Sequence, residues 1–325
     1  MRGVFHYLSD LVTSIVSTLQ LYLYNLIRPF AKWVLRRCTG LCELQRICYC
    51  EPVGARRIIG IEKSLRRSRS EKVKKLLQFL DRAAEEKRFI DNGAPVIISN
   101  TVETICSIKN IRPEVHQPFR KSFGECISVI WGLSQLLDEL EMLRKTSFDS
   151  ENMEHERKLL ALWSHLMPGR MLESRITISW QDIGFQGTDP KTDFRGMGLL
   201  GLENLLFFAE NYSDAARHVL SHSTHPKHGY SFAIVGINLT HLAFTLWKDG
   251  AAKSHIYNMG RPPALRHFHR FYCYLIFEFD KLWMKENPES IMEFNRIRGH
   301  FETQIRSLLA DPGCSFKLTF PVEDI

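Results

Sequence analysis

The densest chemistry in this 325-residue chain lies in one stretch, 180-WQDIGFQGTDPKTDFRGMGLLGL-202. Gly184, Gly187, Gly196, Gly198 and Gly201 share it with Pro190, Asp182, Asp189, Asp193 and a single arginine, Arg195. Two chemistries fit these residue types. Gly196, Gly198 and Gly201 spell G-x-G-x-x-G, the pattern that cradles a dinucleotide pyrophosphate. Arg195, held between Phe194 and Gly196 at the end of a Gly/Pro/Asp loop, could instead be presented to a transferring phosphoryl group, where a guanidinium stabilises developing charge. A bland alternative stands beside the second: Asp193 or Asp189 could pair with Arg195 only to tie the loop down.

The elements around the loop decide against the first chemistry. A dinucleotide fingerprint needs a strand before the glycines, a helix after them and an acidic residue about 20 positions on. Here a polar loop, residues 186–195, precedes them, and Ser221 occupies the distant position. No GxxxxGK[ST] sequence is present to suggest a P-loop. Most of the chain instead shows Leu, Ile and Phe at helical spacing, over 70–90, 119–145, 155–167, 199–220, 230–248 and 263–285,. A last helix is expected to begin at Asn287-Pro288-Glu289, an N-cap residue followed by proline at the first helical position. Only 94-APVIIS-99 and 316-FKLTF-320 read as short strands. The class is all-α.

Composition adds a polarity to the chain. It is 44% hydrophobic and 24% charged, with a formal net charge of +7. Residues 1–75 contain fifteen Lys/Arg against five Asp/Glu, so the basic excess sits at the N-terminal end. Such an end is suited to an anionic surface. Between Arg2 and Arg28 the only formal charge is Asp10. Phe5, Leu8, Val12, Ile15, Leu19, Tyr22 and Leu26 recur at helical spacing there, so residues 1–37 are expected to form a hydrophobic or amphipathic helix that spans or lies on a membrane. The basic residues after it, Arg28 to Arg37, would keep the following chain in the cytosol. The expected setting is therefore the cytosolic face of an intracellular membrane: endoplasmic reticulum, lipid droplet or mitochondrion.

The run 54-GARRIIGIEKSLRRSRSEKVKK-75 resembles a basic linker. It lacks interleaved aromatics for base stacking, so a solvated or lipid-facing patch is expected rather than nucleic-acid binding. Cys38, Cys42, Cys48 and Cys50 match no common zinc spacing, and Cys38 or Cys42 could carry an acyl group beside the anchor. His218, His222, His225 and His228 crowd into eleven residues. With no H-E-x-x-H glutamate and with Pro226 among them, they read as a polar helix end and turn, and no metal is expected.

The pattern W-x-x-I-G-F-Q-G-x-D-P-x-T-D-F-R-G-x-G-x-L-G-L over 180–202 resembles the signature of the ELMO domain family. It is close to the form in the members that activate Arf-like small GTPases. The segments 39-TGLCELQRI-47, 229-GYSFAIVGINLT-240, 271-FYCYLIFEFDKLW-283 and 289-ESIMEFN-295 resemble that family too. The resemblance runs from about 32 to about 310. It implies a multi-helical ELMO-type domain over 154–314, after an N-terminal helical region with its basic linker at 38–153 and before a tail at 315–325. It also implies stimulation of GTP hydrolysis on an Arf-like GTPase such as Arl2, with Arg195 as the arginine required. The runner-up is a membrane-tethered adaptor that binds a GTPase or another signalling partner without accelerating hydrolysis. An arginine supplied in trans contributes roughly 10³–10⁵ in rate. On this reading GTP and Mg²⁺ belong to the partner, and the chain needs no cofactor of its own. Gly184, Gly187, Gly196 and Gly198 would let the loop approach the partner closely, and Asp193 would hold Arg195 before docking. Trp180, Phe185 and Phe194 are expected as the hydrophobic base of the loop rather than interface anchors. Gln186 could orient water, but a structural amide fits better.

Overall fold

A computed structural model of the chain describes residues 27–89 and 94–318. The described residues are predominantly helical and contain no strand. Thirteen helices follow in chain order: α1 (27–39), α2 (Glu43–Cys50), α3 (Ala55–Arg66), α4 (Glu71–Glu85), α5 (Ala94–Lys109), α6 (Gln117–Lys145), α7 (Met153–Leu166), α8 (Gly198–Asn211), α9 (Ser213–Ser223), α10 (Phe232–Lys248), α11 (Lys253–Asn258), α12 (Leu265–Glu286) and α13 (Phe294–Leu309). Most of the segment expected as an N-terminal membrane helix, residues 1–26, lies outside the described residues. No described helix is long and apolar enough to cross a membrane.

The 29-residue helix α6 is the axis on which the rest is built. Phe119, Phe123, Ile127, Trp131, Leu136 and Leu140 are all buried along it. Helices α2 to α5 pack on α6, which also packs on α8 and α10, so the whole shares one apolar core. Helix α8 is the second hub, with α6, α7, α9, α10 and α12 around it. One buried polar cluster links three of these helices, its groups paired as their desolvation requires. Asn204 on α8 donates to Thr240 on α10 at 3.1 Å, and its Oδ1 lies 2.7 Å from His269 Nδ1 on α12.

Several expectations change, and residues 316–318, the described part of the expected strand 316–320, form no strand. The stretch 94–99 is the first turns of α5, where Ile97, Thr101, Val102 and Ile105 recur at three- and four-residue spacing on a buried face. Packing at the helical period overrides the β-branched composition. The run 54–75 is no linker: its first part is α3, and Ile58, Ile61 and Leu65 turn a stripe of that helix into the core. Asn287 ends α12 rather than starting the next helix. It takes a left-handed conformation (φ 51°) as the C-cap, a role asparagine accepts more readily than most residues,. Helix α13 begins only at Phe294, after a short 3₁₀ turn at Ile291–Glu293.

Candidate functional site

The stretch 180–202 folds as two 3₁₀ turns, Ile178–Ile183 and Pro190–Gly196, followed by α8. Aromatic rings make its floor. Trp180, Phe185 and Phe194 are buried, and their rings meet edge to face, Trp180 to Phe185 at 5.9 Å and Phe185 to Phe194 at 5.5 Å. Trp163 of α7 and Phe148 continue the cluster below. Trp180 Nε1 donates to the Arg175 carbonyl at 3.0 Å, so its polar edge is satisfied in place. Such a floor leaves the loop backbone little freedom.

Two glycines lock the loop onto the helices. Gly184 has φ +83°, and a Cβ there would collide with the backbone nitrogen of Phe232 at the start of α10. Gly198 has φ +52°, and a Cβ there would collide with the carbonyls of Arg144 and Thr146 at the end of α6. These two therefore serve internal packing, not the approach of a partner. Gly187 and Gly196 are different: nothing lies within 4 Å of a Cβ built at either. The part of the loop open to close approach is 187 and 196, the second of which adjoins Arg195.

Arg195 is exposed. Its guanidinium makes no hydrogen bond or ion pair with any described residue. The aspartates expected to hold it are engaged elsewhere. Asp193 accepts the Gln186 backbone N–H at 2.9 Å, closing the loop across its neck. Burial pushes the Asp193 carboxyl up, opposed by that hydrogen bond and by the nearby charge of Arg195. Asp189 caps the second 3₁₀ turn through the Lys191 N–H and pairs with Arg175 at 3.0 Å. Gln186 is fixed through its backbone, its carbonyl accepting from Gln181 Nε2 at 3.2 Å, and is exposed.

Residues 138–298 match the family model for the ELMO/CED-12 family. The chain is 47% identical to ELMO domain-containing protein 2 of Bos taurus over 296 residues, which is 91% of this chain and 95% of that one. It is 46% identical to ELMO domain-containing protein 1 of Bos taurus over 299 residues (86% of this chain, 87% of the relative). It is 35% identical to ELMO domain-containing protein B of Dictyostelium discoideum over 281 residues (84% and 92%). The chain belongs to the ELMO/CED-12 family.

In this ELMO/CED-12 chain two further features of the site were not legible in the sequence. Arg175 Nε bonds Glu156 of α7 at 2.5 Å while its Nη2 reaches Asp189, so one guanidinium ties the Arg195 loop to a core helix. Ile176 and Ile178 flank buried Thr177, whose N–H bonds the Thr188 carbonyl at 3.0 Å. Both isoleucines are exposed, 63% and 60%, beside the loop. An apolar-Thr-apolar alternation after Pro168-Gly169 was the only local signal for them.

The histidines resolve into two groups. His218, His222 and Asp280 bring ligand atoms within 4.8 Å of one another. Both Asp280 oxygens are already engaged, Oδ2 with His222 Nδ1 at 2.7 Å and Oδ1 with the Tyr230 hydroxyl at 2.6 Å. The His222–Asp280 bond thus cross-links α9 to α12, with the His218 ring centroid 4.2 Å from that of His222. His225 and His228 stack on each other in the turn after α9, with His228 Nδ1 against the Pro288 carbonyl at 2.8 Å.

Proposed function

We propose that this chain is a GTPase-activating protein for Arf-like small GTPases of the Arl2 type, and that it supplies Arg195 in trans. Membership of the ELMO/CED-12 family supports a role connected with small GTPases. One observation carries the finer reading: Arg195 is exposed and unpaired among the described residues, on a loop whose every other charged anchor is engaged. A structural arginine would be expected to hold one of the two adjacent aspartates. An arginine destined for a partner must instead be left free without letting its backbone drift, because activation needs the charge within hydrogen-bond distance of the phosphoryl oxygens at the moment of transfer.

The partner brings GTP, Mg²⁺ and the attacking water. Gly187 and Gly196 clear space for its switch segments, and Ile176 with Ile178 supplies an apolar shoulder for docking,. The body acts at the cytosolic face of an intracellular membrane, to which the N-terminal end attaches.

Single-turnover GTP hydrolysis by a panel of GTP-loaded Arf-family proteins, with and without the full chain, tests the proposal. Arg195→Lys and Arg195→Ala are expected to lose roughly two or more decades of stimulation. Lysine keeps the charge but cannot offer a planar fork to two oxygens. Because Arg195 bonds nothing internally, both variants should melt like the wild type. Full activation by Arg195→Lys across the panel would remove the catalytic role and leave an adaptor.

A further inference from the structure

A cavity far along the sequence from the Arg195 loop lies where α1, the α3–α4 turn and the end of α5 meet. It measures about 640 Å³, within the range that holds a small ligand. Its lining is strongly one-signed. Arg28, Lys32 and Arg36 come from α1 at four-residue spacing, and therefore from one face of that helix,. Arg67 and Arg69 come from the α3–α4 turn and Lys109 from the end of α5. Glu43 is the only carboxylate against these six cations. It is held by Lys32 at 2.5 Å, by Arg28 at 3.3 Å and by the Ser64 hydroxyl. Burial raises the Glu43 carboxyl, but these bonds outweigh it and leave the group below its ordinary range.

Two further features point to a phosphorylated ligand. Ser70, the N-cap of the 15-residue α4, makes no side-chain capping bond, and Ser70 and Val73 both line the cavity. The N-terminal turn of α4, whose first N–H groups have no side-chain cap, therefore borders the cavity, a setting that favours an anion,. The other side of α1 is apolar and bare: Ile27, Phe30 and Trp33 recur every three residues, each more than half exposed. The Phe30 and Trp33 rings stack at 6.2 Å. A helix with cations toward a cavity and a tryptophan outward suits the boundary between headgroups and acyl chains. A nucleic acid fits less well, because no aromatic side chain lines the cavity to stack a base,.

We propose that this cavity binds the phosphomonoester headgroup of an anionic phospholipid, while Phe30 and Trp33 seat in the adjoining bilayer edge. The site is separate from Arg195 and does not depend on the GTPase reading. It would give the protein a choice of membrane by lipid chemistry, beyond general attraction of basic residues to negative charge.

The test is co-sedimentation of the full chain with phosphatidylcholine vesicles carrying either phosphatidylserine or a phosphatidylinositol monophosphate, matched in total charge. Binding to the phosphoinositide vesicles should be about tenfold the tighter, since only they offer a phosphomonoester to the cavity. Arg67→Gln/Arg69→Gln should abolish that preference and weaken phosphoinositide binding about thirtyfold, from the usual contribution of two cations at an anionic surface. Both arginines are exposed, so the melting temperature should hold. Phe30→Ala/Trp33→Ala should weaken vesicle binding but keep calorimetric binding of soluble inositol trisphosphate. Equal binding to the two charge-matched vesicles, or wild-type binding by the arginine variant, overturns the proposal. Binding of inositol trisphosphate or inorganic phosphate without any vesicle preference makes this a site for a free phosphate and overturns the lipid assignment.

Discussion

Arg175→Ala is the substitution that separates presentation of Arg195 from Arg195 itself. Arg175 joins Glu156 on α7 to Asp189 on the loop through bonds of 2.5 and 3.0 Å, and its side chain is 26% exposed against 18% and 33% for its partners. Truncation deletes two charge-assisted bonds and leaves two carboxylates facing each other in a half-desolvated space. Each bond of this kind is worth roughly 1.5–3 kcal/mol, and partial exposure places the loss at about 2–4 kcal/mol in total. At about 2 °C per kcal/mol for a chain of this size, the melting temperature should fall by roughly 4–8 °C. Stimulation of GTP hydrolysis at a temperature where the variant is folded should fall by roughly tenfold to a hundredfold, because a displacement of about 1 Å at a catalytic group costs that much. Glu156→Gln, alone and combined with Arg175→Ala, closes a double-mutant cycle. The coupling should exceed about 1 kcal/mol, since the groups touch. Wild-type melting together with wild-type stimulation in Arg175→Ala would refute the view that this ion pair sets the loop.

The loop glycines should divide by what surrounds them. Gly184→Ala should destabilise by roughly 2–4 kcal/mol in chemical denaturation, from the left-handed backbone plus the clash with Phe232,; Gly196→Ala should leave stability within about 0.5 kcal/mol, its Cβ meeting open space,. A stable Gly184→Ala would contradict the packing described. Stability should also depend on pH through His255 and His269, both lowered to about 4, chiefly by burial. The unfolded chain protonates them near 6.5 while the folded chain does not, so their contribution is full above about pH 6.5 and drains away as pH falls toward 4. The ceiling is about 3 kcal/mol for each, and melting curves between pH 7.5 and 5 should shift downward, less so in His269→Gln. A flat profile would mean that neither histidine is held neutral.

What could be read from the chain was whatever repeats locally. The apolar spacing of 119–145 and 230–248 marked α6 and α10 to within a few residues, because a buried face stamps its period on the sequence,. Arg195 stood out because few residue types fit its place. The misreadings share a cause. Residues 94–99 have strand-like composition, and only the helix they pack against settles their conformation. Asn287-Pro288 is a sound start signal by itself, yet asparagine serves equally as a left-handed stop, and the packing of α12 chose that use. The expected helix 199–220 breaks at Tyr212, with φ −137°, into α8 and α9. Arg175, Glu156 and Asp189 are 14 and 19 positions apart in their two contacts, and no local rule pairs them. Nor could spacing show that Asp193 would choose a backbone N–H over the guanidinium two residues away.

The contact at Gly198 has a mechanical consequence. There the start of α8 abuts the end of α6, with the Leu199 N–H bonded to the Thr146 carbonyl at 2.9 Å. Residues 147–198, which include α7 and the Arg195 loop, leave the α6–α8 path and return to the same point. Tension applied between the two ends of the molecule passes from α6 to α8 through that junction and through their shared side-chain packing. While the junction holds, the two ends of the excursion stay pinned at one point, and α7 and the Arg195 loop stay packed on α8 and α10. Parting of α6 from α8 would lengthen the path between them by the whole excursion, and the Arg195 loop would lose its anchor at Gly198 in the same event.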